Sequence, residues 1–362
     1  MELNKQNILF IGRATQQAGA ENVILQLCEI LKPHANSIVV CAADGFNKTA
    51  LFDLGIKFYS ISDIEKKNLG TFFEIVRTIR KIVKDEKITV IHTHHRMAAF
   101  YVSLLGLSKK CTFIATGHNT FYDKKILTRF AYKNCNVIAC GEMVKKNLVK
   151  TFGLLDSNVT VIHNAVKTYE GEFVEDKLVL DLRHQGYFVI GNIGRLSEQK
   201  GMQYYINAIP IVLKECPQAR FVIVGNGIEE SKLKELSTSL GINDFLSFLG
   251  YRNDIQNLMS QLDLVVLSSL WEGLPLTPIE AFSVGKTVVA TAVDGTPEIV
   301  KDGENGLLVD ARDSNQIAQK IIWMIKNESL KKKMELNAKK TFEAKFSFKV
   351  FKNSVLEYYR RI

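Results

Sequence analysis

Two glutamates with seven residues between them, Glu272 and Glu280, have the types and the spacing that point most directly to chemistry in this chain. The apolar run 262–267 before them is typical of a buried strand, and the segment 281–285 after them is typical of a helix that ends at glycine. The two carboxylates therefore bracket a strand-to-helix turn, where helix N-terminal N–H groups bind anions. Acidic groups beside an anion site suit a ligand with both phosphates and hydroxyls, such as a nucleotide sugar.

Two cations five residues apart, Arg195 and Lys200, lie in a glycine-flanked loop after a second apolar strand at 187–193. Arginine offers a planar fork of donors and lysine a compact charge, so together they can neutralise a diphosphate leaving group. The alternative interpretation is a pair of solvated surface charges. The glycines at both ends of the loop favour the binding site.

Several other strand-end loops present backbone amides or small residues. Small residues let the backbone approach phosphates or a base closely, and free backbone amides can bind them. The alternative in each case is a plain turn. No complete G-x-G-x-x-G is followed by an acidic residue about 20 positions later, which disfavours a nicotinamide enzyme. These loops are the small-residue segment Ala18-Gly19-Ala20, Gly225-Asn226-Gly227, Gly250-Tyr251-Arg252 and Asp294-Gly295-Thr296-Pro297-Glu298.

Histidines follow two strands of the first half. His92, His94 and His95 lie at one strand end, where a metal site is the less favoured alternative because no further ligand stands at a suitable spacing. His94 and His95 are expected to line a cleft or to bond backbone groups. His118 lies on the loop after the strand 112–116, where it can orient or polarise a substrate hydroxyl, although a lone histidine is usually structural.

Composition excludes several classes of protein. The chain of 362 residues is 46% hydrophobic and 23% charged, which is the profile of a globular protein with room for two domains. No apolar run has the roughly 20 residues of a transmembrane helix, and no signal peptide precedes the first strand, so we expect a cytoplasmic protein. The six cysteines form no C-x-x-C pair and are expected to be reduced core thiols.

The excess of positive charge lies entirely in the first half. Residues 1–166 hold 22 Lys and Arg against 13 Asp and Glu, whereas residues 167–362 hold 25 of each kind. Two basic segments, 72–87 and 124–133, also carry apolar residues at helical spacing. Each segment can be a helix that lies on an anionic membrane surface, such as the inner face of the cell membrane. The alternative is a helix whose apolar side packs on the core and whose basic side faces solvent. Nucleic acid is disfavoured because no groove-reading module is present.

The chain alternates strand-like and helix-like segments, which predicts an α/β fold with parallel, doubly wound sheets. A charged stretch from about 167 to 185 interrupts the alternation and marks a boundary. We therefore predict an N-terminal Rossmann-like domain over 1–166 and a C-terminal one over 167–344. Both halves open alike, with Ile11-Gly12-Arg13 and Ile193-Gly194-Arg195 after an apolar strand.

Taken together, Arg195, Lys200, Glu272 and Glu280 resemble the signature of the retaining glycosyltransferases of family 4, which have the GT-B fold. The resemblance extends from the Gly19 loop through the joining segment 161–166 to the turn 295–298. It implies two Rossmann-like domains facing a central cleft, with a final helix, 345–362, that packs back onto the first domain. The chain departs from the family pattern at Ala18-Gly19-Ala20, where two adjacent glycines are usual, and at His163, where proline is common.

The resemblance also implies roles for individual residues. Glu280 is expected to bind the ribose hydroxyls and Glu272 the donor sugar hydroxyls, while Arg195 and Lys200 hold the diphosphate together with the amides of Leu274 and Leu276. His118 is expected beside the reacting sugar. The expected catalytic residues are His118, Arg195, Lys200 and Glu272, and the expected donor-binding residues are Gly19, Gly194, Gly227, Tyr251, Arg252, Gly273, Leu274, Leu276 and Glu280.

The leading hypothesis is a retaining hexosyltransferase that uses a UDP sugar and a glycan or lipid-linked acceptor in cell-surface polysaccharide synthesis, such as capsule or exopolysaccharide. No cofactor and no metal are expected, because no convincing D-x-D pair is present and Arg195 and Lys200 can stabilise the leaving group. Two alternatives remain open, a GT-B nucleotide-sugar epimerase and a non-catalytic subunit that binds sugar nucleotides.

Overall fold

The computed structural model describes residues 2–13, 19–43, 45, 48–66 and 68–362, and it divides the chain into two compact units. The first unit comprises residues 1–164 together with 351–362, and the second comprises 165–350. The predicted boundary at 166 lies two residues from the observed one. The last helix was predicted over 345–362 and spans Phe348–Arg361 in the structure, and its residues from Phe351 belong to the first unit.

The first unit is built on a seven-stranded parallel sheet with the order β3-β2-β1-β4-β5-β6-β7. Its strands and helices alternate along the chain, as the pattern of apolar segments predicts. In sequence order they are β1 Asn7–Ile11, α1 Gly19–Leu31, β2 Ser37–Ala42, α2 Lys48–Asp53, β3 Lys57–Ser60, α3 Leu69–Asp85, β4 Val90–Thr93, α4 Arg96–Leu104, β5 Thr112–Gly117, α5 Lys125–Ala131, β6 Asn136–Ala139, α6 Glu142–Lys150 and β7 Val159–Val161.

The second unit contains a six-stranded parallel sheet with the order β10-β9-β8-β11-β12-β13. Its elements are α7 Lys177–His184, β8 Phe188–Ile193, α8 Met202–Glu215, β9 Ala219–Val224, α9 Glu230–Ser239, β10 Leu246–Gly250, α10 Ile255–Gln261, β11 Leu264–Leu267, α11 Leu276–Ser283, β12 Val288–Thr291, α12 Thr296–Ile299, β13 Leu307–Val309, α13 Ser314–Lys326, α14 Glu328–Thr341 and α15 Phe348–Arg361, whose residues from Phe351 belong to the first unit.

The central strands are continuous apolar runs because helices cover both faces of a parallel sheet. Every residue of β11 is at most 1% exposed, and so are Ile8 to Ile11 of β1. In each sheet the strand order reverses between two central strands, β1 and β4 in the first and β8 and β11 in the second. Ligands of such folds bind outside the carboxyl ends of the strands at this reversal.

Two expectations about composition can be compared with the structure. All six cysteines are buried and free of disulfides, as predicted. Among the described residues, no helix has both the length and the apolar composition needed to cross a membrane.

The structure corrects the secondary structure predicted for several short elements. Helix α7 lies inside the stretch 167–185, which was predicted to interrupt the alternation of strands and helices, and α10 was also missed. Strands β3 and β13 were missed because they lie at the edges of their sheets and have only four and three residues. Elements so short carry too few alternating positions to give a periodic signal.

Candidate active site

Glu272 lies in the loop between β11 and α11, as the sequence predicts, and its side chain is only 7% exposed. One carboxylate oxygen, Oε1, accepts two hydrogen bonds, from Nζ of Lys200 at 2.5 Å and from Oγ of Ser269 at 2.7 Å. The second oxygen, Oε2, has no hydrogen-bond partner within the described residues. Glu272 is therefore a fixed, charge-compensated carboxylate with one oxygen left for a ligand hydroxyl.

Lys200 reaches Glu272 because the loop after β8 packs tightly on the loop after β11. Gly201 lies so close that a Cβ atom there would stand 2.3 Å from the carbonyl oxygen of Ser268, and its φ of +56° also favours glycine. The backbones are joined by the amide of Leu270, which donates to the carbonyl of Gln199 at 2.7 Å. The tight contact between the two loops fixes the ion pair across 72 residues of sequence.

Arg195 lies in the same loop as Lys200 but is exposed. Its guanidinium has no ion pair or hydrogen bond within the described residues, so its charge is available to a ligand. The loop rests on the glycines after β9, because a Cβ on Gly225 would stand 1.9 Å from the carbonyl oxygen of Gly194 and one on Gly227 would stand 2.2 Å from that of Leu196. Gly194 and Gly227 thus shape the loop that holds the free arginine.

Glu280 is the fifth residue of α11, about one turn inside the helix as predicted. It is half-buried, and burial raises the pKa of its carboxyl to about 7, although the nearby Lys200 cation acts in the opposite direction. Glu272 and Glu280 therefore differ in environment. Glu272 is paired with a lysine, whereas the carboxyl of Glu280, with a pKa of about 7, is only partly ionised at neutral pH.

The start of α11 offers unpaired backbone donors beside these side chains. Pro275 at the N-cap position makes no side-chain cap, and the N–H groups of Leu274 and Leu276 donate to no other described residue. The turn after β12 holds this loop in place, because Asp294 accepts from the Glu272 amide at 2.8 Å and the Gly295 amide donates to Gly273 at 3.1 Å. This arrangement can bind an anion.

Two predicted donor contacts after β10 have different surroundings. Tyr251 is 61% exposed. The guanidinium of Arg252 is bound to both carboxylate oxygens of Asp254 at 2.7 Å and to Asp176 at 2.6 Å. Arg252 thus ties the start of α7 to the segment before α10, and a contact with the donor stays a prediction for both residues.

The predicted residues of the first unit lie at the carboxyl ends of β1, β4 and β5. His118 follows β5 and is half-buried, with Nε2 at 3.1 Å from Nδ1 of His94. His95 accepts from the amide of Met97 and so caps α4, which bears out the expectation that it bonds a backbone group. Gly19 is the first residue of α1, whereas its neighbour Ala18 lies outside the described residues.

The described residues contain no group of three or more His, Cys, Asp or Glu side chains arranged to hold a metal ion. In the second unit, Arg195, Lys200 and the amides at the start of α11 can each take a ligand's negative charge. Sequence reasoning missed Ser269 and Asp294 as partners of Glu272. Ser269 stands three residues before Glu272, a spacing that suits a hydrogen bond within the turn.

Two family models match the chain, one to each half. The model described as Glycosyltransferase Family 4 matches residues 18–170, and the model described as Glycosyl transferases group 1 matches residues 180–341. Two relatives are similar over much of their length. A UDP-Gal:alpha-D-GlcNAc-diphosphoundecaprenol alpha-1,3-galactosyltransferase of Escherichia coli is 26% identical over 84% of each chain, and the lipopolysaccharide core biosynthesis glycosyltransferase LpsE of Rhizobium meliloti is 28% identical over 64% of this chain and 66% of its own.

Solved structures with the same fold cover almost the whole chain. Anabaena HepE in complex with UDP is 24% identical, with a TM-score of 0.85 over 99% of this chain and 100% of its own. A glycosyltransferase of Rickettsia africae is 21% identical, with a TM-score of 0.86 over 99% and 98%. With two parallel sheets, both family models and these neighbours, the chain belongs to the family 4 glycosyltransferases and has the GT-B fold.

Proposed function

We propose that the chain moves a hexosyl group from a UDP-hexose to a hydroxyl of a lipid-linked or glycan acceptor, with retention of configuration at the anomeric carbon. The observation that carries this proposal is the Lys200–Glu272 ion pair at the strand-order reversal of the second sheet. In this proposal the carboxylate binds sugar hydroxyls, and the cation paired with it binds the diphosphate. Arg195, exposed in the same loop, adds a second positive charge.

The chemistry requires that the bond between the anomeric carbon and the diphosphate oxygen break as the acceptor oxygen forms its bond to that carbon. Negative charge grows on the leaving diphosphate, so stabilising it is the main electrostatic task. We assign this task to Arg195, Lys200 and the amides of Leu274 and Leu276, and propose that no metal or other cofactor is needed. Gly194, Gly227 and Gly273 shape the backbone around the donor.

Retention is proposed to proceed by attack on the same face from which the diphosphate leaves. A covalent glycosyl intermediate needs a carboxylate on the opposite face, and none of the residues assigned to the donor has that role. The acceptor proton is transferred to an oxygen of the departing diphosphate. Glu272 binds and orients the donor sugar, Glu280 binds the ribose, and His118 polarises a hydroxyl of the reacting sugar.

The relatives support the choice of substrates. The name of the Escherichia coli relative includes both a UDP sugar and a polyprenyl-diphosphate acceptor, and that of LpsE refers to the lipopolysaccharide core. HepE has been crystallised with UDP-glucose. We therefore propose a role in cell-surface polysaccharide synthesis, on the cytoplasmic side of the membrane.

The test is a panel of UDP-hexoses incubated with polyprenyl-diphosphate sugars or lipid extract, with UDP release and product linkage as readouts. We expect UDP release that requires both donor and acceptor, and a product with the donor's anomeric configuration. Conversion of a UDP-hexose without acceptor would instead indicate an epimerase. Binding without turnover under every condition would indicate a non-catalytic subunit.

We also propose that an apolar and basic surface on α3 and α5 contacts an anionic membrane. Helix α3 buries Ile75, Ile79 and Ile82, yet Leu69 and Phe73 are 77% and 65% exposed. Ile126 in α5 is 87% exposed. Basic residues accompany these apolar ones on the same two helices, namely Arg77, Arg80, Lys81 and Lys84 on α3 and Lys125 and Arg129 on α5.

Vesicle sedimentation tests the membrane proposal. Wild type should bind vesicles that contain anionic lipid and should bind neutral vesicles much more weakly, since each basic residue near the surface contributes about 1 kcal/mol. The variant Phe73→Ser/Ile126→Ser should lose most of this binding. Leu336→Ser changes an apolar residue of α14 that is 66% exposed and serves as the matched control. Equal binding by all three proteins would contradict the proposal.

A further inference from the structure

Buried polar side chains of β4, β5 and α15 form a network behind His118. His92 is fully buried, and its two ring nitrogens contact the Tyr359 hydroxyl and the Thr116 hydroxyl, each at 2.7 Å. Because side chains alternate between the faces of a strand, His94 extends the face of His92 just after β4, and His118 extends the face of Thr116 just after β5. The pair His92 and His94 and the pair Thr116 and His118 therefore lie on the same face of the first sheet.

The ring of His94 is held from both sides. Its centroid lies 4.4 Å from that of His92 and 5.3 Å from that of His118, with the ring of Phe10 at 5.9 Å. His94 is only 4% exposed. Among the residues that the structure describes, the only polar contact of its ring joins Nδ1 to Nε2 of His118 at 3.1 Å, and its own Nε2 is buried without a partner.

One of these two ring nitrogens must carry a proton and donate it in the hydrogen bond. Which ring donates determines the tautomer of both rings. If His118 donated from Nε2, neutral His94 would carry its proton on its own buried Nε2 and leave an unpaired N–H donor. Orphaned buried N–H groups are rarer than under-satisfied acceptors. The favoured arrangement therefore has His94 donating from Nδ1, so that His118 carries its proton on Nδ1.

We infer that His94 is a positioning residue that locks His118 as the Nδ1–H tautomer and so aims a neutral N–H donor at the substrate. Within the described residues, Nδ1 of His118 has no hydrogen-bond partner, which leaves this donor for a ligand oxygen. This inference rests on the proposed function, because it takes the hydroxyl that His118 polarises to be that of the reacting sugar. Tyr359 forms a hydrogen bond with His92, the ring of His92 packs against that of His94, and His94 contacts His118.

The electrostatics agree with a neutral donor. Burial, with a smaller contribution from His95, lowers the pKa of His118 to about 4. Burial also lowers the pKa of His94 well below its usual value and that of His92 to about 3. All three rings are thus neutral at pH 7, where a neutral imidazole has a single N–H and its tautomer matters most.

The experiment combines the tautomer with kinetics. Protein labelled with ¹⁵N-histidine should show His118 protonated on Nδ1 in proton–nitrogen correlation spectra, and this readout needs no activity. His94→Leu should lower kcat about ten- to hundredfold through loss of orientation, while KM for the donor changes less than twofold. His94→Asn keeps an N–H donor near the position of Nδ1, so we expect it to recover much of kcat.

Two outcomes would overturn the inference. One is an Nε2–H tautomer of His118 in the wild-type spectra, and the other is a His94→Leu variant that retains the wild-type tautomer and kcat. A His94→Asn variant as inactive as His94→Leu would point to packing alone, which also contradicts the inference. If wild type showed no transferase activity, the spectra would still decide the tautomer, so failure of the proposed function remains distinguishable.

Discussion

If Glu280 binds the donor ribose, as we propose, its raised pKa predicts that donor binding depends on pH. A carboxylate accepts hydrogen bonds from both ribose hydroxyls, whereas a protonated carboxyl must keep one oxygen as a donor. With a pKa of about 7 in the free protein, the ionised fraction is about 0.1 at pH 6 and about 0.9 at pH 8. If only the ionised form binds fully, the apparent Kd scales inversely with that fraction and falls about tenfold over this interval.

Isothermal titration calorimetry with a UDP-hexose measures this change. The diphosphate of such a donor is esterified at both ends and does not titrate between pH 6 and 8, so the protein is the source of the effect. Repeating the titration at pH 7 in buffers of different ionisation heat should show release of about half a proton per donor bound, by proton linkage.

Glu280→Gln is the decisive variant because it keeps the shape of the side chain and removes its titration. We expect weaker binding that no longer changes with pH. Glu357→Gln, at an exposed carboxyl of α15, is the matched control and should keep the wild-type dependence. A wild-type Kd that stays constant from pH 6 to 8, or a Glu280→Gln variant with the full tenfold change, would refute the reasoning.

The remaining predictions concern the ion pair, the loop contacts and the buried histidines. Glu272→Ala should mainly lower kcat and Glu280→Ala should mainly weaken donor binding, and steady-state kinetics that show equal effects on both parameters would contradict this division. Gly225→Ala should destabilise the second unit by about 1–3 kcal/mol in urea unfolding because its Cβ would overlap Gly194, while Gly70→Ala in α3 should be neutral or stabilising. Because the pKa of His118 is lowered to about 4 in the folded chain, the unfolded chain binds more protons than the folded chain between about pH 6.5 and 4. The melting temperature should therefore fall as the pH is lowered through this window, and it should fall less steeply in His118→Asn.

The turn that carries the two glutamates could be predicted because local signals agree there. The apolar run of β11 is continuous, and Gly285 follows the last turn of α11. The basic segment 72–87, with its apolar residues at helical spacing, falls largely within helix α3, which Asn68 caps. Helix α7 was missed because it buries only Val179 and lies in a charged stretch. With only eight residues, α7 is also too short to show a clear helical period.

The ion pair between Lys200 and Glu272 could not be predicted from spacing, because it depends on which strands become neighbours. The sequence indicates that two loops follow two strands, but only the pairing of β8 with β11 brings those loops into contact. The tautomer of His118 depends in the same way on the pairing of β4 with β5. Alternation along each strand was nevertheless visible, since His92 and His94 are two residues apart, as are Thr116 and His118.

The sign of the proton linkage also reports which end of the donor Glu280 faces. A ribose that donates hydrogen bonds lowers the carboxyl pKa on binding, so protons are released and affinity rises with pH. A nearby diphosphate would instead raise that pKa, so protons would be taken up and affinity would fall as pH rises. Lys200 already forms an ion pair with Glu272, so its charge cannot fully offset the repulsion between Glu280 and a second anion. Tighter binding at pH 6 than at pH 8 would therefore place the diphosphate, rather than the ribose, against Glu280.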